Sequence, residues 1–113
     1  MNQEIKKEWV KRLRGNGYAQ GTGELRGDYR EGQAPEFCSL GVLCDVLADM
    51  GLGQWNGTAF TWKGNESTNY TDLPYDALRA IGLYGYESQR IIELNDGKLL
   101  NFKQIADYVE EML

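Results

Sequence analysis

Histidine is absent from this chain. Without an imidazole no Ser–His or Cys–His nucleophile pair can form, the commonest general base is missing, and a His-containing zinc site is excluded. Cysteine is scarce. Cys38 and Cys44 are the only two, too few for a zinc ligand set, and on one helix they would point to different sides; they read as small core residues. No apolar run approaches the ~20 residues of a membrane span. The charged start, from Met1 to Glu8, has no apolar stretch of a signal peptide. The expectation is therefore a cytoplasmic protein with reduced thiols, in which the Asn-x-Ser/Thr triplets at Asn56, Asn65 and Asn69 are incidental. Basic charge is also short. The net charge is −5, made of +1 over residues 1–36 and −6 over the remainder, which disfavours direct nucleic-acid binding and would suit a basic partner surface.

What is present is the composition of a globular protein: 42% hydrophobic and 12% aromatic residues over 113 positions, read as one domain spanning 1–113. The first helix is well marked. Asn2 is a good N-cap, Ile5, Trp9 and Leu13 recur on one face with Val10 beside them, and Gly15 is placed for a left-handed cap. Residues 15–32 are glycine-rich and read as short strands around Tyr18-Ala19-Gln20 and Glu24-Leu25-Arg26, or as an irregular loop. Residues 37–50 form an apolar helix with Leu40, Leu43, Leu47 and Met50 on one side, capped by Gly51 with Leu52 folding back.

Asn56-Gly57 signals a hairpin between Gln54-Trp55 and residues 58–62. A polar loop follows to Tyr70, and Pro74 opens a short helix ended by Gly82. Ile91-Ile92-Glu93-Leu94 reads as a strand or extended connection before a turn at Asn95-Asp96-Gly97. In the last helix Asn101 and Gln104 make a capping-box pair, and Phe102, Ile105, Val109 and Met112 form the buried stripe. The sum is an α+β fold, about four helices packed on a small antiparallel sheet.

Carboxylates are plentiful, but Asp45, Asp49, Asp72, Asp76 and Asp96 each have an ordinary reading as solvated helix, helix-start or turn residues. A Mg²⁺ held by Asp45 with Asp96 is compatible with this composition, since Mg²⁺ needs only one or two carboxylates, but nothing local specifies it. No residue is assigned a catalytic or metal-binding role, and no cofactor is implied. The best binding loop is the glycine run from Gly15 to Gly23, with Arg26 and Arg30 behind it for phosphate. It lacks the Gly-Lys-Ser/Thr of a P-loop and does not match the dinucleotide fingerprint. Trp55, Phe60 and Trp62 could anchor a partner, but a small sheet also needs aromatics to cover its core.

Several segments then fall into one order: Tyr18-x-Gln20-Gly21-x-Gly23-x-Leu25, Cys38-x-Leu40-Gly41-Val42-Leu43-Cys44-Asp45, Leu94-Asn95-Asp96, and Phe102-x-x-Ile105-Ala106-Asp107. This pattern resembles a group of small uncharacterised phage and prophage proteins. Many of that group carry Cys-Cys where this chain has Cys38-Ser39, which argues against any role for a thiol at 39. The resemblance implies a phage accessory protein in a bacterial host cell that acts without catalysis, antagonising a defence system by stoichiometric binding. Two modes follow. The acidic portion docks on a host protein, or Gln20, Gly21, Gly23, Arg26 and Arg30 with Asp45, Asn95 and Asp96 sequester a small signalling nucleotide. The second mode favours a homo-oligomer with its pocket between subunits. The alternatives are a small carboxylate and metal enzyme, or a structural phage component.

Overall fold

The computed structural model describes residues 1–27, 34–64 and 68–113. Helix α1 spans Gln3–Arg14, with the Asn2 side chain accepting a hydrogen bond from Ile5 N at 3.0 Å. It buries Ile5, Trp9, Val10 and Leu13, the residues its periodicity singles out. Gly15 is not the left-handed cap expected of it: its backbone is extended, at φ −80° and ψ 179°. Two short strands, β1 (Ala19–Gln20) and β2 (Glu36–Phe37), pair in parallel, and Arg26 bridges antiparallel to Phe37. The glycine-rich segment is thus laid against the chain that leads into the central helix.

That helix, α2 (Ser39–Asp49), is buried almost all round, including Leu40, Val42, Leu43, Cys44, Val46 and Leu47. Each such aliphatic side chain contributes roughly 2 kcal/mol by leaving water. Cys38 lies before the helix as its N-cap, Sγ accepting from Gly41 N at 3.4 Å. Gly41 is required by the closeness of the next layer. An added Cβ there would overlap the carbonyl oxygen of Leu25 and stand 2.7 Å from its carbon. Met50, expected inside, ends the helix and is exposed, while Leu52 N returns to Leu47 O as the sequence suggests.

The sheet is antiparallel, in the order β3 (Gly53–Asn56), β4 (Ala59–Trp62), β5 (Thr68–Asn69). Asn56 pairs with Ala59, so the two-residue loop is Gly57-Thr58 and not Asn56-Gly57. With φ +63° at Gly57, this fits a turn whose first central residue must be left-handed, and only glycine adopts that freely. β5 lies in a stretch read from sequence as loop.

Helix α3 (Tyr75–Ile81) follows Pro74, which occupies the N-cap position, and ends at Gly82 with φ 74°. The main departure comes next. Residues 91–94 are not extended: α4 (Gly85–Ile92) runs directly into a π-helical turn over Glu93–Gly97. The short pattern of two isoleucines fits either period, and the helix-start signal, Glu87 accepting from Tyr84 N at 3.0 Å, decides it. Helix α5 (Phe102–Met112) packs on α1. Asn101 and Gln104 cap it reciprocally, both bonds at 2.9 Å. Met112 is 60% exposed and lies outside the buried stripe. Among the described residues the architecture is five α-helices with a small three-stranded antiparallel sheet, an α+β fold.

Candidate functional site

Five of the sequence-derived candidates come together. Asn95, 1% exposed, sits in the π-helical turn with all four of its hydrogen-bonding positions used. Its Oδ1 accepts from Gln20 Nε2 at 3.0 Å and from Ser39 N at 3.1 Å. Its Nδ2 donates to Gly21 O at 2.9 Å and to Asp96 Oδ1 at 2.7 Å. Gln20 Nε2 also reaches Leu100 O at 2.7 Å, and Gly23 N donates to Asp96 Oδ2 at 3.1 Å. The extra residue of a π-turn swings a side chain out of helical register, which brings Asn95 onto the start of α2. Gln20, Gly21, Gly23, Asn95 and Asp96 therefore form a clamp that fastens the glycine loop to α2 and α4. Their polar groups are directed at one another.

Arg26 belongs elsewhere. Its Nε and Nη2 donate to Gly57 O at 3.0 and 2.6 Å, and its guanidinium lies 4.4 Å from the Trp55 ring centroid. It ties the glycine loop to the hairpin tip. Arg30 lies outside the described residues.

Asp45 is the centre of a third network and not a solvated helix residue. It accepts from Tyr18 OH at 2.6 Å and Trp55 Nε1 at 3.0 Å, with Arg12 Nη1 at 3.6 Å. Arg12 also pairs with Glu8 and Asp49, at 3.1 and 2.8 Å. Burial, with the bond to Asp45, pushes the Tyr18 phenol up to about 12. Sequence reasoning missed Arg12, Tyr18 and Trp55 as partners of Asp45. No local pattern pairs residues that far apart in the chain, although the motif around Tyr18 and the run ending in Asp45 both mark the segments involved.

Asp45 and Asp96 are thus held in separate networks, which removes the one metal pairing the composition suggested. Among the described residues, no three Cys, Asp or Glu side chains gather as metal ligands. Cys38 and Cys44 are both buried. Burial pushes the Cys38 thiol up to about 11 and raises that of Cys44 as well, so neither is a thiolate at neutral pH. Trp55 and Phe60 pack edge to face at 5.5 Å with Phe60 fully buried, so these hairpin aromatics cover the core.

The face that remains unaccounted for is tyrosine-rich, and sequence reasoning did not single it out. Tyr75, Tyr84 and Tyr86, on and between α3 and α4, are 72%, 67% and 74% exposed. Tyr84 and Tyr86 stack in parallel, centroids 5.7 Å apart. Tyr75 and Tyr84 line a hollow of about 330 Å³ with Leu78, Arg79 and Leu83. Tyr86 lines a second, of about 540 Å³, with Gln89, Arg90 and Ile92. Exposed tyrosines of this density mark contact surfaces, because each offers large area, two rotatable bonds and a polar tip. The available signal was the place of Tyr75, Tyr84 and Tyr86 in the chain, each at a helix start.

A fold of this kind defines an α+β domain whose conspicuous motifs are spent on internal clamps. The chain belongs to a family described as a domain of unknown function, DUF8296, whose model matches residues 1–113. No curated protein and no solved structure matches it. No helix of the described residues is long and apolar enough to cross a membrane.

Proposed function

We propose that this chain is a non-catalytic binding protein of the phage accessory type, acting in the bacterial cytoplasm by stoichiometric contact with a host protein of a defence system. The observation that carries the reading is the exposure of Tyr75, Tyr84 and Tyr86 on one corner of the fold. Aromatic anchors flanked by hollows are where interface free energy concentrates. Their burial in an interface is the simplest reason for leaving three such rings in water. The nucleotide-sequestration form of the reading is the weaker one. It needs Gln20, Gly21, Gly23, Asn95 and Asp96 to face a ligand, and these groups already bond to each other.

The test is capture from a bacterial lysate on immobilised chain, with retained proteins and small molecules identified by mass spectrometry. The wild-type chain is compared with the variant combining Tyr75→Ala, Tyr84→Ala and Tyr86→Ala, and with Gln20→Ala. All three should fold, since the tyrosines are exposed and Gln20 is only partly buried. A host protein retained by wild type and Gln20→Ala, and lost from the tyrosine variant, supports the proposal. A retained nucleotide lost with Gln20→Ala, or turnover of a substrate by the purified chain, overturns it.

A further inference from the structure

A second surface, on the opposite kind of charge, lies along α1. Lys6, Lys7, Lys11 and Arg14, with Gln3 and Val10, fall at i, i+3, i+4 spacing and line a groove of about 560 Å³ whose far side is Glu110 of α5. Arg14 is committed: it pairs with Glu110 and, at 2.8 Å, with Asp107. Of the two acids on α1, Glu8 is committed to Arg12, and Glu4, in the first turn, makes no ion pair among the described residues. Among the described residues, Lys6, Lys7 and Lys11 have no carboxylate within ion-pair distance. On a molecule of net charge −5, three lysines without an ion pair on one helix face outnumber the acids beside them, Glu4 and Glu110, and make the field there locally positive. Their aliphatic stems, lying over the buried Val10, supply an apolar floor beneath the charges.

From this the geometry points to a second docking site, one that takes a short acidic segment of a protein, its carboxylates on Lys6, Lys7 and Lys11 and an apolar side chain along the lysine stems. Charge complementarity selects the class of partner. A nucleic-acid strand fits less well, because its phosphates recur without a break and would run past Asp107 and Glu110 at the groove's edge. A peptide can place carboxylates only where the lysines stand. This site is separate from the tyrosine face and does not depend on it.

Fluorescence anisotropy on the full chain tests it. The probe is a labelled peptide of alternating glutamate and leucine, with a glutamine-for-glutamate peptide and a single-stranded oligonucleotide of equal charge as comparisons. The acidic peptide should bind, with affinity falling as NaCl is raised from about 50 to about 200 mM. Combining Lys6→Glu, Lys7→Glu and Lys11→Glu should weaken it by about tenfold or more, and the glutamine versions by less. The variant lacking Tyr75, Tyr84 and Tyr86 should bind the peptide as wild type does. Equal binding of the uncharged peptide, tighter binding of the oligonucleotide, or indifference to the lysine changes overturns the proposal. So does salt-sensitive self-association of the chain in sedimentation velocity, which would make a second copy the occupant.

Discussion

Replacing Asn95 should be among the most damaging single changes to this protein. Asn95→Ala removes four hydrogen bonds at once, and leaves Ser39 N and Gly21 O without that partner. At about 1 kcal/mol for each bond, with more for buried groups left unpaired, the cost is roughly 3–5 kcal/mol. Total stabilities of small domains run to only about 5–15 kcal/mol, so the melting temperature should fall by roughly 10–20 °C. Asn95→Asp is the sharper probe. It keeps the shape and the Oδ1 acceptor but places a carboxylate in a buried site against Asp96. Burial and the neighbouring charge would hold the new carboxyl's pKa above its unfolded value. Its protonated form is then the one compatible with folding, so the variant's deficit is smallest below the unfolded pKa and grows as pH rises. Urea unfolding of wild type and both variants at pH 4 and pH 7 measures this. A cost under about 1 kcal/mol for Asn95→Ala, or an Asn95→Asp deficit independent of pH, refutes the clamp.

Other perturbations test other joints. Gly41→Ala should cost about 3 kcal/mol, because the Cβ meets backbone of Leu25 that cannot step aside; chemical denaturation reads it. Leu99 is exposed and left-handed, at φ 54°, so Leu99→Gly should raise stability by about 1 kcal/mol in the same assay. Alkali should weaken the fold. Both Cys38 and Tyr18 have folded pKa values raised, to about 11 and about 12, so the stability they supply is intact below pH 9 and is lost as pH climbs from 9 to 12. Tyr18→Phe should flatten the upper part of that loss by about 1 kcal/mol, after discounting for solvent screening, visible in thermal melts across that range.

The starts of the first and last helices were legible from sequence, and the stretch from Gly85 to Gly97 was not. Asn2 and Asn101 announce their helices because capping is local: acceptor and donor lie three residues apart. In α2 Leu40, Leu43 and Leu47 are buried as their spacing indicates, while Met50, placed on the same stripe, ends the helix and is exposed. The π-helical turn was not legible, since a one-residue insertion in a helix has no periodicity of its own, and Ile91-Ile92 suits strand and helix alike. The hairpin was found but its loop was one residue off, because Gly57 serves as the second residue of one turn type and the first of another. At the candidate site only part of the sequence grouping comes together. Gln20, Gly21, Gly23, Asn95 and Asp96 meet while Arg26 and Asp45 join other networks, and glycines and amides that cradle a ligand carry the same local signature as those that bond to one another. Only the fold distinguishes them. The tyrosine face escaped notice because exposure is a property of packing.

Hydrogen–deuterium exchange on the chain alone and in complex with its captured partner bears most directly on the central claim. Amides of residues 75–86 should slow on complex formation, while those of the 20–26 loop and of Asn95 and Asp96 keep the rates of the free chain. Slowing confined to the loop and to Asn95 and Asp96, with residues 75–86 unchanged, would contradict the account.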